Sequence, residues 1–208
     1  AHRQRLAAGL RPGVRAREVV ADQLAGGVVD RGDVVDVERV AQADKNDRVA
    51  RLVLGVNSLK RKQYAPARRD LAQSIRGPIT DLTATLLSAW GSLGANDSKG
   101  AITAIDHLAG PEWYAIFKDL HAGLIYDVAG NQKEAGKRLE RAYKLDSTAL
   151  RVVQAYGSWV SRNRSPKEAM TVFETFDKTL PRHPLVVEAM DKLKAGEKLP
   201  PLVANVQA

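Results

Sequence analysis

The chain has 208 residues, 44% hydrophobic and 27% charged, enough apolar material for a sizeable core in one or two domains. It has no cysteine, which excludes disulfides and thiolate chemistry, and no apolar run approaches the roughly 18 residues that mark a membrane span. A net charge of +8 admits an anionic partner such as nucleic acid, or a solvated helical surface.

Residues 1–44 use only ten residue types, Ala, Arg, Asp, Gln, Glu, Gly, His, Leu, Pro and Val, and each has a codon beginning with G or C. That bias is expected when a GC-rich gene is read in a shifted frame or on the opposite strand. Residues 1–37 are therefore either mistranslated sequence or an Arg- and Val-rich helical pair degenerated from an upstream repeat. From Glu38, the stretch ERVAQAD fits the close of a helix that leads into the pattern beyond it.

That pattern is a repeat of 34 residues. Ala67, Ala101, Ala135 and Ala169 form one row, and Gly55, Ala89, Gly123 and Gly157 another. Leu71, Ile105, Leu139 and Phe173 form a third, and Ser74, Leu108, Ala142 and Phe176 a fourth. Four units start near residues 48, 82, 116 and 150 with no insertion or deletion, giving an array over 38–183. Each unit divides into two helical stretches. In the third, Phe117, Leu120, Leu124 and Val128 share one face of a first helix. Gly130-Asn131 breaks it, and Asn131 with Glu134 predicts an N-cap and reciprocal glutamate opening a second helix through Tyr143. In the fourth, Ser165-Pro166-Lys167-Glu168 offers cap, N1 proline and N3 glutamate. Pro78, Pro111 and Pro181 stand where they would stop second helices.

A glycine inside a helix costs about 0.5–1 kcal/mol relative to alanine, so Gly123 requires a packing reason. Its spacing from Ala135 predicts two antiparallel helices crossing with their backbones close together. After the fourth unit, His183-Pro184-Leu185 opens a further amphipathic stretch over 184–196, a capping helix or the start of a fifth unit, with Gly196 suited to its C′ position. Pro200-Pro201 then predicts an extended or mobile tail over 197–208.

These rows resemble the tetratricopeptide repeat (TPR). Leu54, Gly55, Tyr64, Ala67, Leu71 and Pro78 carry the resemblance in the first unit. Gly123, Tyr126, Gly130, Ala135, Leu139 and Ala142 carry it in the third, and Tyr156, Gly157, Ala169, Phe173 and Pro181 in the fourth. The second departs most, with Ser88-Ala89 in place of Leu-Gly, which puts the crossing angle of its helix pair in question. The resemblance implies an all-α, right-handed α-solenoid of stacked antiparallel helix hairpins, the TPR superhelix. GPEWYAIFKDLHAGL and LPRHPLVVEAM are similar to multi-repeat TPR proteins of alphaproteobacteria, which implies a bacterial source, a longer parent chain, and a cytoplasmic or periplasmic setting.

No chemistry stands out beside this. His2, His107, His121 and His183 lack metal-ligand spacing, and no hydrolase, Walker or dinucleotide pattern occurs. No catalytic group, cofactor or metal is expected. The resemblance instead implies a binding or scaffolding module with a concave groove made by the first helices. Its groove positions fall on Val49, Leu52 and Val56, on Thr83, Leu86 and Trp90, on Phe117, Leu120 and Leu124, and on Arg151, Gln154 and Ser158. The first three sets are largely apolar, which predicts an apolar or amphipathic partner segment anchored by Trp90 and Phe117. An acidic tail needs cations and amides at these positions. The segment belongs either to another protein or to the rest of the parent chain. Basic clusters at Lys60, Arg61, Lys62, Arg68 and Arg69, and at Lys133, Lys137, Arg138, Arg141 and Lys144, leave nucleic acid as the alternative.

Overall fold

The computed structural model describes residue 44 and residues 47–74 and 77–204. The compositionally odd segment 1–37 and the stretch from Glu38 to Ala43 lie outside the described residues. Among the described residues the chain forms nine α-helices and no strand: α1 Arg48–Lys60, α2 Tyr64–Ala72, α3 Pro78–Gly94, α4 Ser98–His107, α5 Tyr114–Val128, α6 Gln132–Leu145, α7 Leu150–Asn163, α8 Pro166–Thr179 and α9 Pro184–Lys194. They fall into two compact units that divide between Ala95 and Asn96, inside the repeat that departs most from the pattern.

In the first unit α1 packs on α2, α2 on α3, and α1 on α3. Asp47 caps α1 by accepting from the Val49 and Ala50 amides at 3.0 and 2.9 Å. Arg51 of α1 donates to Asp70 of α2 at 2.8 Å across the hairpin. In the second unit each helix from α4 to α9 packs on the next, and α5 also packs on α7.

The alanine row supplies fully buried contact points: Ala67, Ala101, Ala135 and Ala169 all have 0% exposure. The glycine row has a more demanding reason. A Cβ on Gly123 would lie 2.6 Å from Leu139 Cγ and 3.1 Å from the Leu139 backbone nitrogen. Gly55 meets Leu71, and Gly157 meets Phe173, in the same way. In these three hairpins the small residue of the first helix thus receives the large residue of the second. The close approach expected at Gly123 is made with Leu139, while Ala135 is buried without being the nearest neighbour of Gly123.

Local signals act somewhat differently from their sequence reading. Asn131 does cap α6, accepting from the Glu134 amide at 3.3 Å, but Glu134 does not reach back. It binds Lys137 Nζ at 2.7 Å, while the Asn131 amide donates to the Tyr126 carbonyl. Ser165 caps α8 and also donates its hydroxyl to Glu168. Pro78 opens α3 at its first turn instead of stopping α2, because a residue without an N–H loses nothing there. The turns after α1, α3 and α5 each place one residue at positive φ, Lys62 at 58°, Asn96 at 64° and Gly130 at 81°, 34 residues apart. Asp97 beside Asn96 caps α4 through the Gly100 amide at 2.8 Å.

Candidate functional site: an apolar cleft in the second unit

Two groups of ion pairs join the helices around the cleft. Asp127, at the end of α5, accepts both guanidinium nitrogens of Arg162, at the end of α7, at 3.1 and 2.6 Å. Asp119 of α5 accepts from Arg138 and Arg141 of α6, and Arg138 also grips Asp106 of α4 at 2.7 and 2.8 Å. The C-terminal ends of α5 and α7 are therefore held together, and the gap between them opens toward their N-terminal ends.

That gap is a cleft of about 770 Å³. The start of α5 and the residues before it contribute Trp113, Ile116, Phe117 and Leu120, the end of α6 contributes Leu145, and Val152 comes from the first turn of α7. Three of these stay exposed despite their size: Trp113 at 45%, Phe117 at 40% and Leu145 at 56%. Trp113 and Phe117 meet edge to face with ring centres 5.9 Å apart, and Trp113 meets Tyr114 likewise at 4.7 Å. The rim is charged with both signs, by Glu112, Asp146 and Arg151. Asp146 fixes the α6–α7 connection by accepting from the Thr148 hydroxyl and amide and the Ala149 amide. Its carboxyl is held below the usual range, chiefly by the Thr148 hydroxyl.

Of the groove residues expected from the sequence, the structure brings Phe117, Leu120 and Arg151 to this cleft. Leu124 is buried deeper along α5. Gln154 and Ser158 line a separate groove on α7, where Leu199, Pro200 and Leu202 from the segment after α9 lie beside them. In the first unit, Val49, Leu52 and Val56 are half-buried on α1, Leu86 is buried and Trp90 half-buried on α3, and Thr83 is exposed with its hydroxyl turned back to the Ile79 carbonyl. Trp113, Ile116 and Leu145 were not among the expected positions. Trp113 precedes the helix and Leu145 ends a second helix, so a rule confined to first-helix positions passes over both.

Among the described residues no group of His, Asp and Glu is arranged to hold a metal ion, and no described helix is long and apolar enough to cross a membrane. His107 bonds to the Thr103 carbonyl at 3.0 Å and His183 packs edge-on to Phe176. Burial lowers the pKa of His121.

Compared with solved structures, the chain is similar to a thermophilic TPR protein of Thermus thermophilus, at 15% identity and TM-score 0.58, covering 89% of this chain and 100% of that one. The fold is a TPR-like helical repeat. It is also similar, at 15% identity and TM-score 0.56, to the human IFIT1 dimer solved with m7Gppp-AAAA; 92% of this chain is covered, but only 48% of that one. No family profile and no curated sequence matches the chain.

Proposed function

We propose that this protein is a non-enzymatic interaction module, and that the α5–α7 cleft receives an apolar face of an amphipathic helix from a partner. The observation that carries this reading is the exposure of Trp113, Phe117 and Leu145 around one cleft, since a contiguous apolar surface of this kind marks an interaction site. Its volume lies within the range of ligand pockets and suits a few large side chains. A rim carrying Glu112, Asp146 and Arg151 gives no strong preference for either sign of charge, so the recognised segment is apolar at its centre and mixed at its edges. The expected repeat boundaries, with units near 48, 82, 116 and 150, remain part of this proposal.

Charge pairing argues against nucleic acid as the main partner. In the third-repeat basic cluster, Lys137 pairs with Glu134, Lys144 with Glu140, and Arg138 and Arg141 with Asp119. A cation already matched by a carboxylate releases few counterions from a phosphate backbone.

The test is titration of the full chain with a synthetic amphipathic helix presenting leucines at i, i+3, i+4 and i+7, alongside an acidic C-terminal peptide. Phe117→Ala and Trp113→Ala should each weaken helix binding by roughly 2 kcal/mol if they are hot spots, with little effect of added salt. Preferential binding of the acidic peptide, released by moderate salt, would overturn the proposal.

A further inference from the structure

The segment after α9 lies on the second unit as a bound peptide would. Leu199 is buried to 6% exposure, and its amide donates to the Ser161 hydroxyl oxygen at 3.0 Å. The Ser161 hydroxyl donates in turn to the Ser158 carbonyl at 2.9 Å, leaving a lone pair aimed at the incoming amide. Ser158 donates its own hydroxyl to the Pro200 carbonyl. Two buried serines on one face of α7 thus read the polar groups on either side of one inserted leucine.

The sequence of this segment suits such a seat. An extended chain on an apolar helix face has no neighbouring strand to satisfy its amides, and each unsatisfied buried amide is costly. Pro200 and Pro201 carry no N–H, and each disfavours helix in the residue before it. Leu199-Pro200-Pro201-Leu202 therefore stays extended and offers few donors beyond the one that Ser161 accepts. A groove of about 200 Å³ continues beside it between α7, α8 and α9, lined by Phe173, Leu185 and Ala189.

We infer that the α7 face carrying Ser158 and Ser161, with the groove beside it, is a second peptide site, selective for an extended apolar-Pro-Pro-apolar segment, and that Leu199–Leu202 is seated there as an internal ligand that a partner segment of the same chemistry displaces. Directional hydroxyl contacts to the Leu199 amide and the Pro200 carbonyl specify backbone conformation and one side-chain pocket, and a proline-stiffened extended segment has little conformational freedom to lose on binding. Only residues 195–198 join the segment to α9, and a short tether holds it at an effective concentration on the order of millimolar, so the internal ligand masks the site from weak external binders.

Labelled acetyl-LPPLVA, matching residues 199–204 and lacking lysine, serves as the probe in fluorescence anisotropy with the full chain. Leu199→Asp ejects the internal segment and should bind the probe about tenfold or more tighter than wild type. Ser161→Ala in that background should abolish the gain. As a measurement on the wild-type chain, excess unlabelled peptide should accelerate trypsin cleavage between Lys198 and Leu199. Equal probe affinity for wild type and a folded Leu199→Asp, or a cleavage rate that the peptide leaves unchanged, shows a permanent structural seal and overturns the inference.

Discussion

Replacing Gly123 with alanine sets two effects of opposite sign against each other. Alanine is favoured over glycine in a helix interior by about 1 kcal/mol, so propensity alone predicts a stabilised protein. The added methyl, however, would lie 2.6 Å from Leu139 Cγ, 2.7 Å from its Cδ2 and 3.1 Å from its backbone nitrogen. Leu139 is 1% exposed, so its side chain has no open space to turn into, and the backbone contact resists a simple slide of α6. Overpacking of this kind costs about 1–3 kcal/mol, and two side-chain contacts under 3 Å place this site in the upper part of that range. The net expectation is a loss of about 1–2 kcal/mol. Urea unfolding followed by far-ultraviolet circular dichroism reads this as a lowered midpoint at unchanged slope. Leu139→Ala should cost less in the Gly123→Ala background than in wild type, because the clash is then removed. A raised midpoint for Gly123→Ala, or identical costs of Leu139→Ala in both backgrounds, refutes the close-approach reasoning.

Asp127→Ala strands the mostly buried Arg162 guanidinium and should destabilise by about 3 kcal/mol in the same unfolding assay, whereas Asp127→Leu combined with Arg162→Met should recover most of it. Burial lowers the His121 pKa below its ordinary 6.5, so the unfolded chain binds that proton more readily. Its contribution should be complete above that value and decline as pH falls from about 6.5 toward the folded pKa, and His121→Gln should flatten the dependence of unfolding midpoints between roughly pH 7.5 and 5.5. Gly55→Ala and Gly157→Ala should each be net destabilising, as at Gly123, because their added methyls would meet Leu71 and Phe173 at 2.6 and 2.5 Å.

The rows at 34-residue spacing, the Asn131 and Ser165 caps and the breaks at helix ends are visible in the linear order of residues, because each depends on neighbours within a turn or on strict recurrence. A close approach at Gly123 was legible, but the spacing pointed to Ala135 as its partner, and that Leu139 meets the glycine depended on the crossing of α5 and α6. The positive φ at Lys62 and Asn96 was hidden, since only the third turn uses glycine, the residue that announces such a backbone. The cleft was only partly legible. Phe117, Leu120 and Arg151 follow from their register, but Trp113 and Leu145 join them through the ends of neighbouring elements, and the opening depends on where Arg162 clamps Asp127. Leu199 shows the same limit. Its two prolines fix an extended chain from sequence alone, whereas its burial is decided by Ser158 and Ser161, 41 and 38 residues earlier, whose hydroxyls face it only once α7 and α9 have packed on α8.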